Sequence, residues 1–435
     1  MKLWQKNNTV GGEASTLIEA FTVGKDRDFD LLLAEADVTA SLAHAKMLAH
    51  INLLSTSEFR LIEKELKKIL LDIQTGNFRI DPAMEDIHSQ IEWMLTREIG
   101  EAGKKIHSGR SRNDQVLVDI KLYIRDQLKE IAELSNQLFQ TLQAMSEKYK
   151  AVQMPGYTHF QVAMPSSFGL WFGAYAESLV DDMEVVLGAY RVANKNPLGS
   201  GAGFGSSFPL DRELTTRLLG FESMNHNVVY AQMSRGKTEK ISAMALACVA
   251  ATLSKLAYDV CLYLSQNFGF ISFPDALTTG SSIMPHKKNP DVFELIRARC
   301  NRIQALPNEL TLLINNLPSG YHRDLQLTKE CLFPAFTELG NCLRLADFML
   351  QQVQVNANIL ADPRYKYLWS VEAVNEQVLQ GNTFREAYRA VGQHIESGTF
   401  SYEPTVTHTH AGSMGNLCNA EIKAEMEKKL AGFQL

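Results

Sequence analysis

DQVLVDIKLYIRDQLKEIAELSNQLFQTLQAMSEK, residues 114–148, places apolar side chains at Leu117, Ile120, Ile124, Leu128, Ile131, Leu134, Leu138, Leu142 and Met145. Every step is three or four residues, the spacing that keeps one stripe of an α-helix turned toward a neighbour. No proline occurs between Pro82 and Pro155 to break it. At 1.5 Å per residue the helix is on the order of 50 Å long, too long for a compact single layer, so other long helices must flank it. Two stretches qualify, 168–193 and 233–266. The second is apolar around most of its circumference and belongs inside a bundle. Shorter amphipathic helices are marked by Ala40, Ala43, Met47, Ile51 and Leu54, and by Phe59, Ile62, Leu66 and Ile69. Strand signals are sparse. From Tyr365 onward the long period is lost, and Gly398, Pro404 and a His/Thr/Gly-rich stretch at 405–415 point to a small terminal unit. The expectation is an all-α protein with an N-terminal helical domain (1–107), a central long-helix bundle (108–357) and a small C-terminal helical domain (358–435).

A chain of 435 residues buries a large core. Its net charge of −6 does not provide the basic face that nucleic-acid binding requires. Cys248, Cys261, Cys300, Cys331, Cys342 and Cys418 are scattered without a C-x-x-C pair, which reads as reduced thiols, mostly in the core. The opening residues MKLWQKNN contain no apolar export segment. The longest apolar run, 244–253, is half the length needed to cross a bilayer. These features predict a cytoplasmic protein with no membrane partner.

Three polar segments, each rich in glycine or proline, are spliced between the helical stretches. HSGRSRNDQ (107–115) opens the long helix with capping residues, two arginines and free backbone N–H groups, a combination suited to anions. Capping alone does not require Arg112, Asn113 and Gln115 side by side. MPGYTHFQ (154–161) places His159 beside Thr158 and Gln161 in a stretch that cannot be regular helix, and imidazole carries protons near neutral pH. A lone histidine is as often a satisfied core residue. GSSIMPHKKNPDVFE (280–294) reads as a loop followed by a helix capped at Asn289-Pro290. Glu294 is then one turn in, leaning back toward the loop that carries Ser281 and Lys287. A solvated charged loop does not account for so particular an ordering.

Other motifs are decoys. Gly236-Lys237-Thr238 resembles the end of a phosphate loop, but Ala231 stands where that loop needs glycine. The glycine run 199–205 does not match G-x-G-x-x-G and reads as a tight loop near substrate or a helix junction. His408 and His410 have no third metal ligand at suitable spacing, so a structural or solvated role is favoured and no metal is expected.

GSSIMPHKKNP resembles the signature of the fumarase/aspartase superfamily, whose members eliminate fumarate from succinyl-type substrates. HSGRSRNDQV, PGYTHFQVAMP and YHRDLQLTKE (321–330) narrow the resemblance to the argininosuccinate lyases, over residues from 2 to beyond 330. The resemblance implies central helices packed into the core of a homotetramer, active sites shared between three subunits, and argininosuccinate as substrate without a cofactor. It implies Ser281 as general base and His159, partnered by Glu294, on the acid side. Thr158, Asn113, Lys287 and Asn289 would hold the succinyl carboxylates, and Arg112 belongs to the same anion-binding segment. Tyr321, Gln326 and Lys329 would bind the arginine half. Three departures stand out. Gln5-Lys6-Asn7-Asn8 follows Lys2-Leu3-Trp4 where the family has a Gly-Gly-Arg-Phe run. Asp26-Arg27-Asp28-Phe29-Asp30 stands where the family often has serines that touch a carboxylate. His286 precedes the lysine pair in place of glutamine, a reading closer to adenylosuccinate lyase. That enzyme is the rival reading, although no phosphate-binding residues can be placed for its nucleotide. An inactive structural relative of the lens-crystallin kind is the rival of another class.

Overall fold

A computed structural model of the chain describes residues 13–81, 83–403 and 408–433; the Lys2-Leu3-Trp4 segment and its unusual continuation lie outside them. Helices dominate, and the strands of the described residues form three two-stranded sheets. The long helix is Arg112–Lys148, 37 residues, or about 55 Å. It starts two residues before Asp114, where the quoted stretch begins, because Ser111 caps it. The Ser111 hydroxyl accepts from the Asn113 N–H (3.3 Å) and the Asp114 carboxylate accepts from the Ser111 N–H (2.8 Å). Both contacts satisfy main-chain N–H groups that the start of a helix leaves without an intrahelical partner.

Phe168–Ala193 forms as the sequence predicts. The next long helix is Lys237–Leu264, four residues later than expected. Gly236 stops its backward extension with φ of +77°, and a Cβ there would lie 2.8 Å from Ile314. The residues before it form a separate short helix, Val228–Met233. Lys237–Leu264 is long and apolar enough to cross a membrane by length and composition alone, as a buried core helix also is; 56% of its most apolar window is buried within the chain. Leu246, Val249, Leu253 and Val260 are among its core residues.

The helix Thr328–Leu350 was not anticipated, and it contains Pro334. That proline forfeits one main-chain hydrogen bond, while Leu332, Phe333, Leu339, Leu343, Ala346 and Leu350 are all buried. Burial of so many apolar side chains outweighs the lost bond.

The chain divides into two compact units, one comprising residues to Ile131, Val185–Ala247 and Ile303–Glu338, the other Ala132–Glu184, Cys248–Arg302 and Leu339–Leu435. In the first, Ala34–His50 and Thr56–Gln74 pack with Ile87–Ile99 around Leu48, Ile62, Leu66, Ile69, Ile87 and Ile91. In the second, an aromatic cluster joins Trp171, Tyr263, Phe268 and Phe270, with centroids 5.2–6.1 Å apart. The indole of Trp171 and the hydroxyl of Tyr175 both donate to Asp259. Toward the C-terminus, Ser370–Leu379 and Phe384–Glu396 share a small core of Ala373, Val374, Ala387 and Val391. Of the six cysteines only Cys300 and Cys342 are buried, so the expectation of mostly core thiols is corrected; all six are free.

Candidate active site

The first unit contains a cleft of about 660 Å³, part of it open to solvent, lined by Asp26, Asp30, Asp86, His88, Arg112, Asn113, Arg235, Tyr321, Arg323, Gln326 and Lys329, among others. Arg112, in the first turn of the long helix, is held by three partners: Asp86 at 3.2 Å, the Ser89 hydroxyl at 3.1 Å and Gln115 at 3.4 Å. Asp86 itself caps Ile87–Ile99, accepting from the Ser89 N–H at 2.7 Å. Gln326 donates to the carbonyls of Thr22 and Val23. Lys329 is 3% exposed, and its ammonium is held between the carboxylates of Asp26 and Asp30, the latter at 2.6 Å. Burial raises both acids, Asp26 to about 6, against the opposing pull of Lys329.

Behind this cleft the glycine run acts as a helix junction. The N–H groups of Gly199 and Gly201 both donate to Asp114 Oδ2 at 2.9 Å. With φ of +87° and +60°, these glycines turn successive amides toward one carboxylate. Burial still outweighs the three N–H donors and lifts the Asp114 carboxyl to about 6. Next to it lies a cluster unsuspected from sequence. His88 Nδ1 is 3.3 Å from Asp37 and 3.5 Å from Asp119, all three buried. The ligand atoms lie within 4.8 Å of one another, as in a metal-binding set. Arg110 and Arg112 already act on both carboxylates, so an added divalent cation would meet two positive charges. The paired histidine of the C-terminal segment is also accounted for: His408 Nε2 is 2.9 Å from buried Glu372.

In the second unit, Gln153–Thr158 and Gln161–Ser167 form an antiparallel hairpin with Thr158 opposite Gln161. The two-residue turn between them is His159-Phe160, with φ of +54° and +56°. Such a turn favours Asn-Gly; a histidine and a phenylalanine there cost about 1–2 kcal/mol each. The turn places an exposed imidazole at the tip of the hairpin, at a cost in strain that the paired strands offset. Gly156 allows the strands to close, since a Cβ would stand 2.9 Å from the Met164 carbonyl.

The third segment is an exposed loop leading into Asp291–Ile303. The Ser281 hydroxyl accepts from the N–H groups of Ile283 (3.3 Å) and Met284 (3.1 Å). Asn289 N–H donates to the Thr279 carbonyl, and the Thr279 hydroxyl donates to Asp291, so the loop is closed at its base. Lys287, Asn289 and Glu294 line one cavity of about 1360 Å³, much of it open to solvent, with His286 and Lys288.

The fold thus collects Arg112, Asn113, Tyr321, Gln326 and Lys329 in one cleft, and Lys287, Asn289 and Glu294 in one cavity. Ser281, Thr158 and His159 line neither, and His159 makes no hydrogen bond or ion pair with Glu294 within the chain. Sequence reasoning missed Asp86, Arg235 and the positive partner of Asp26 and Asp30. Asp86 carried a signal, an N-cap aspartate before the apolar Ile87. Arg235 sits beside the dismissed Gly236-Lys237-Thr238 and forms a buried pair with Glu239 at 3.1 Å.

A family model described as lyase matches residues 8–305. An argininosuccinate lyase of Phocaeicola vulgatus is 58% identical over 432 residues, covering 99% of this chain and 96% of the relative. One from Thermotoga neapolitana is 38% identical over 392 residues, 90% of this chain and 98% of that one. Among solved structures, an EDDS lyase variant with bound fumarate superposes with a TM-score of 0.73 at 21% identity, covering 98% of this chain and 91% of the other. The class II fumarase of Schistosoma mansoni gives 0.73 at 17%, covering 93% and 90%. At those identities the two structures establish the fold, the all-helical long-helix architecture of the fumarase type.

Proposed function

The chain belongs to the argininosuccinate lyase family, and on that premise we propose that it eliminates fumarate from argininosuccinate, releasing arginine, with the arginine half held in the cleft around Lys329. The observation that carries this reading is the cleft itself. Segments far apart in sequence deliver Arg112, Asn113, Tyr321, Gln326 and Lys329 to one polar surface of mixed charge, which complements an amino acid bearing both charges.

The reaction breaks a C–H and a C–N bond. The proton leaves the carbon next to a succinyl carboxylate, the C–H electrons become the double bond of fumarate, and the C–N pair remains on the guanidino nitrogen, which takes up a proton. Ser281 is the base. A serine hydroxyl is a poor base unless its anion is stabilised, and the two N–H donors aimed at Ser281 Oγ provide part of that stabilisation. Lys287 meets the charge that develops on the carboxylate, the type of contact that contributes most to such catalysis. His159, backed by Glu294, returns a proton to the leaving nitrogen. Thr158, Asn113 and Asn289 hold the succinyl carboxylates.

The site is completed by other copies of the chain, three contributing to each centre of a homotetramer. The exposure of Thr158, His159 and Glu294 supports this, as do exposed apolar side chains on the long helices, among them Val185, Met244, Tyr258, Leu345 and Phe348. Residues 108–357 carry the assembly, with 1–107 and 358–435 as smaller helical domains, and the free cysteines suit a cytoplasmic enzyme. The test is to incubate purified protein with argininosuccinate and, separately, adenylosuccinate while following fumarate absorbance. Fumarate from the first substrate alone supports the reading. Fumarate from the second alone replaces it with the rival, and none from either points to a non-enzymatic relative.

A further inference from the structure

The charges of the cleft do not balance in one place. Arg112 faces Asp86 at 3.2 Å, Arg323 faces Glu85 at 3.6 Å, and Arg235 is matched by Glu239 at 3.1 Å. At the remaining position one ammonium, that of Lys329, faces two carboxylates, Asp26 and Asp30. Asp30 is also tied to the Ile87 N–H at 3.4 Å and is 2% exposed. Asp26 is the less buried of the two, its side chain 20% exposed at the cleft wall. Arg235 also acts on Asp26 through its charge, but it is already held by Glu239 at 3.1 Å. Two carboxylates sharing one bound ammonium in a partly buried setting are costly, so a cation of the ligand would stabilise this corner of the cleft.

We propose that Asp26 is a specificity-determining residue that receives the α-ammonium group of the arginine half of the substrate, completing a cluster of two carboxylates and two ammonium groups with Asp30 and Lys329. This rests on the assignment of the cleft to the arginine half. The α-carboxylate then falls to a hydrogen-bond donor of the same cleft, the Tyr321 hydroxyl. The compact ammonium suits this corner because two carboxylates already grip one ammonium there, and a tetrahedral donor engages several acceptors at once. The raised carboxyl of Asp26 has the same origin, burial beside a second acid.

Two measurements test this. Binding of L-arginine and of 5-guanidinopentanoate, which lacks only the α-ammonium, is compared by calorimetry on the wild-type protein. The expected result is at least about tenfold weaker binding of the deaminated ligand, the scale of one lost charge-assisted contact; equal affinities overturn the proposal without need of any variant. Asp26→Asn is then assayed with argininosuccinate and its deaminated analogue. KM for argininosuccinate should rise about tenfold with kcat falling much less, while KM for the analogue stays near the wild-type value. An equal rise for both substrates makes Asp26 structural and overturns the proposal. Wild-type protein that discriminates the two ligands yet releases no fumarate preserves the recognition and sinks the assigned reaction; turnover without discrimination does the reverse.

Discussion

The cleft around Lys329 and the loop around Ser281 are opposite kinds of site. In the cleft each of these cations already faces a carboxylate: Lys329 between two acids, Arg112 against Asp86, Arg235 against Glu239. Around Ser281 most side chains are exposed, and among the described residues the side chains of Lys287 and Glu294 make no hydrogen bond or ion pair. Under the proposed function, folding of one chain arranges the recognition half of the chemistry, whereas the reacting half would be completed by substrate and neighbouring subunits. The two kinds of side chain should answer differently to substitution, one through stability and the other through rate.

The largest separation should come from Ser281→Ala. Loss of the base is expected to cut kcat by about 10³-fold or more, in the range of general acid–base contributions, with argininosuccinate affinity changed little. Single-turnover kinetics and calorimetry check this, and near-normal turnover would remove Ser281 from its role. Lys329→Met should act in the other direction. It strands two carboxylates, and breaking a buried pair costs about 3–5 kcal/mol, so denaturant unfolding should show a large loss even without substrate.

A pH experiment sharpens the contrast within the paired region. Asp114 is lifted to about 6, by burial first, from an ordinary value of 3.8. Its folded value lies above its unfolded one, so its contribution to stability is complete below about pH 4 and is lost as pH rises through about 6. Two units correspond to about 2–3 kcal/mol. The stability difference between wild type and Asp114→Asn should therefore shrink by up to that amount from pH 4 to 6.5; a flat difference would contradict the burial argument. The smallest effect concerns Lys287→Met. This exposed change should leave unfolding within about 0.5 kcal/mol of wild type while lowering kcat, and a stability loss comparable to that at Lys329 would erase the distinction between the two regions.

Much of this contrast was visible in the chain as written. The stripe from Leu117 to Met145 located the central helix to within two residues, because a side chain every three or four positions has no other regular solution. The helix Thr328–Leu350 carries Pro334 in its interior, and a rule about local hydrogen bonding cannot register the apolar contacts that override it. The 154–161 segment was recognised as non-helical, but the strained turn at His159-Phe160 contradicts local preference and is fixed by the strands on either side.

Asp26 shows the limit most clearly. Read in sequence it was an acid where an acid would repel a substrate carboxylate. In the fold it shares the ammonium of Lys329, three hundred residues away, with Asp30. The chain alone determined that long helices would form, that polar segments would interrupt them, and which family its motifs resemble, since periodicity and short motifs are local properties. Only the tertiary structure decided which charges face each other and which are left over. Electrostatic energy depends on separation in space and on burial, and neither follows from position along the chain.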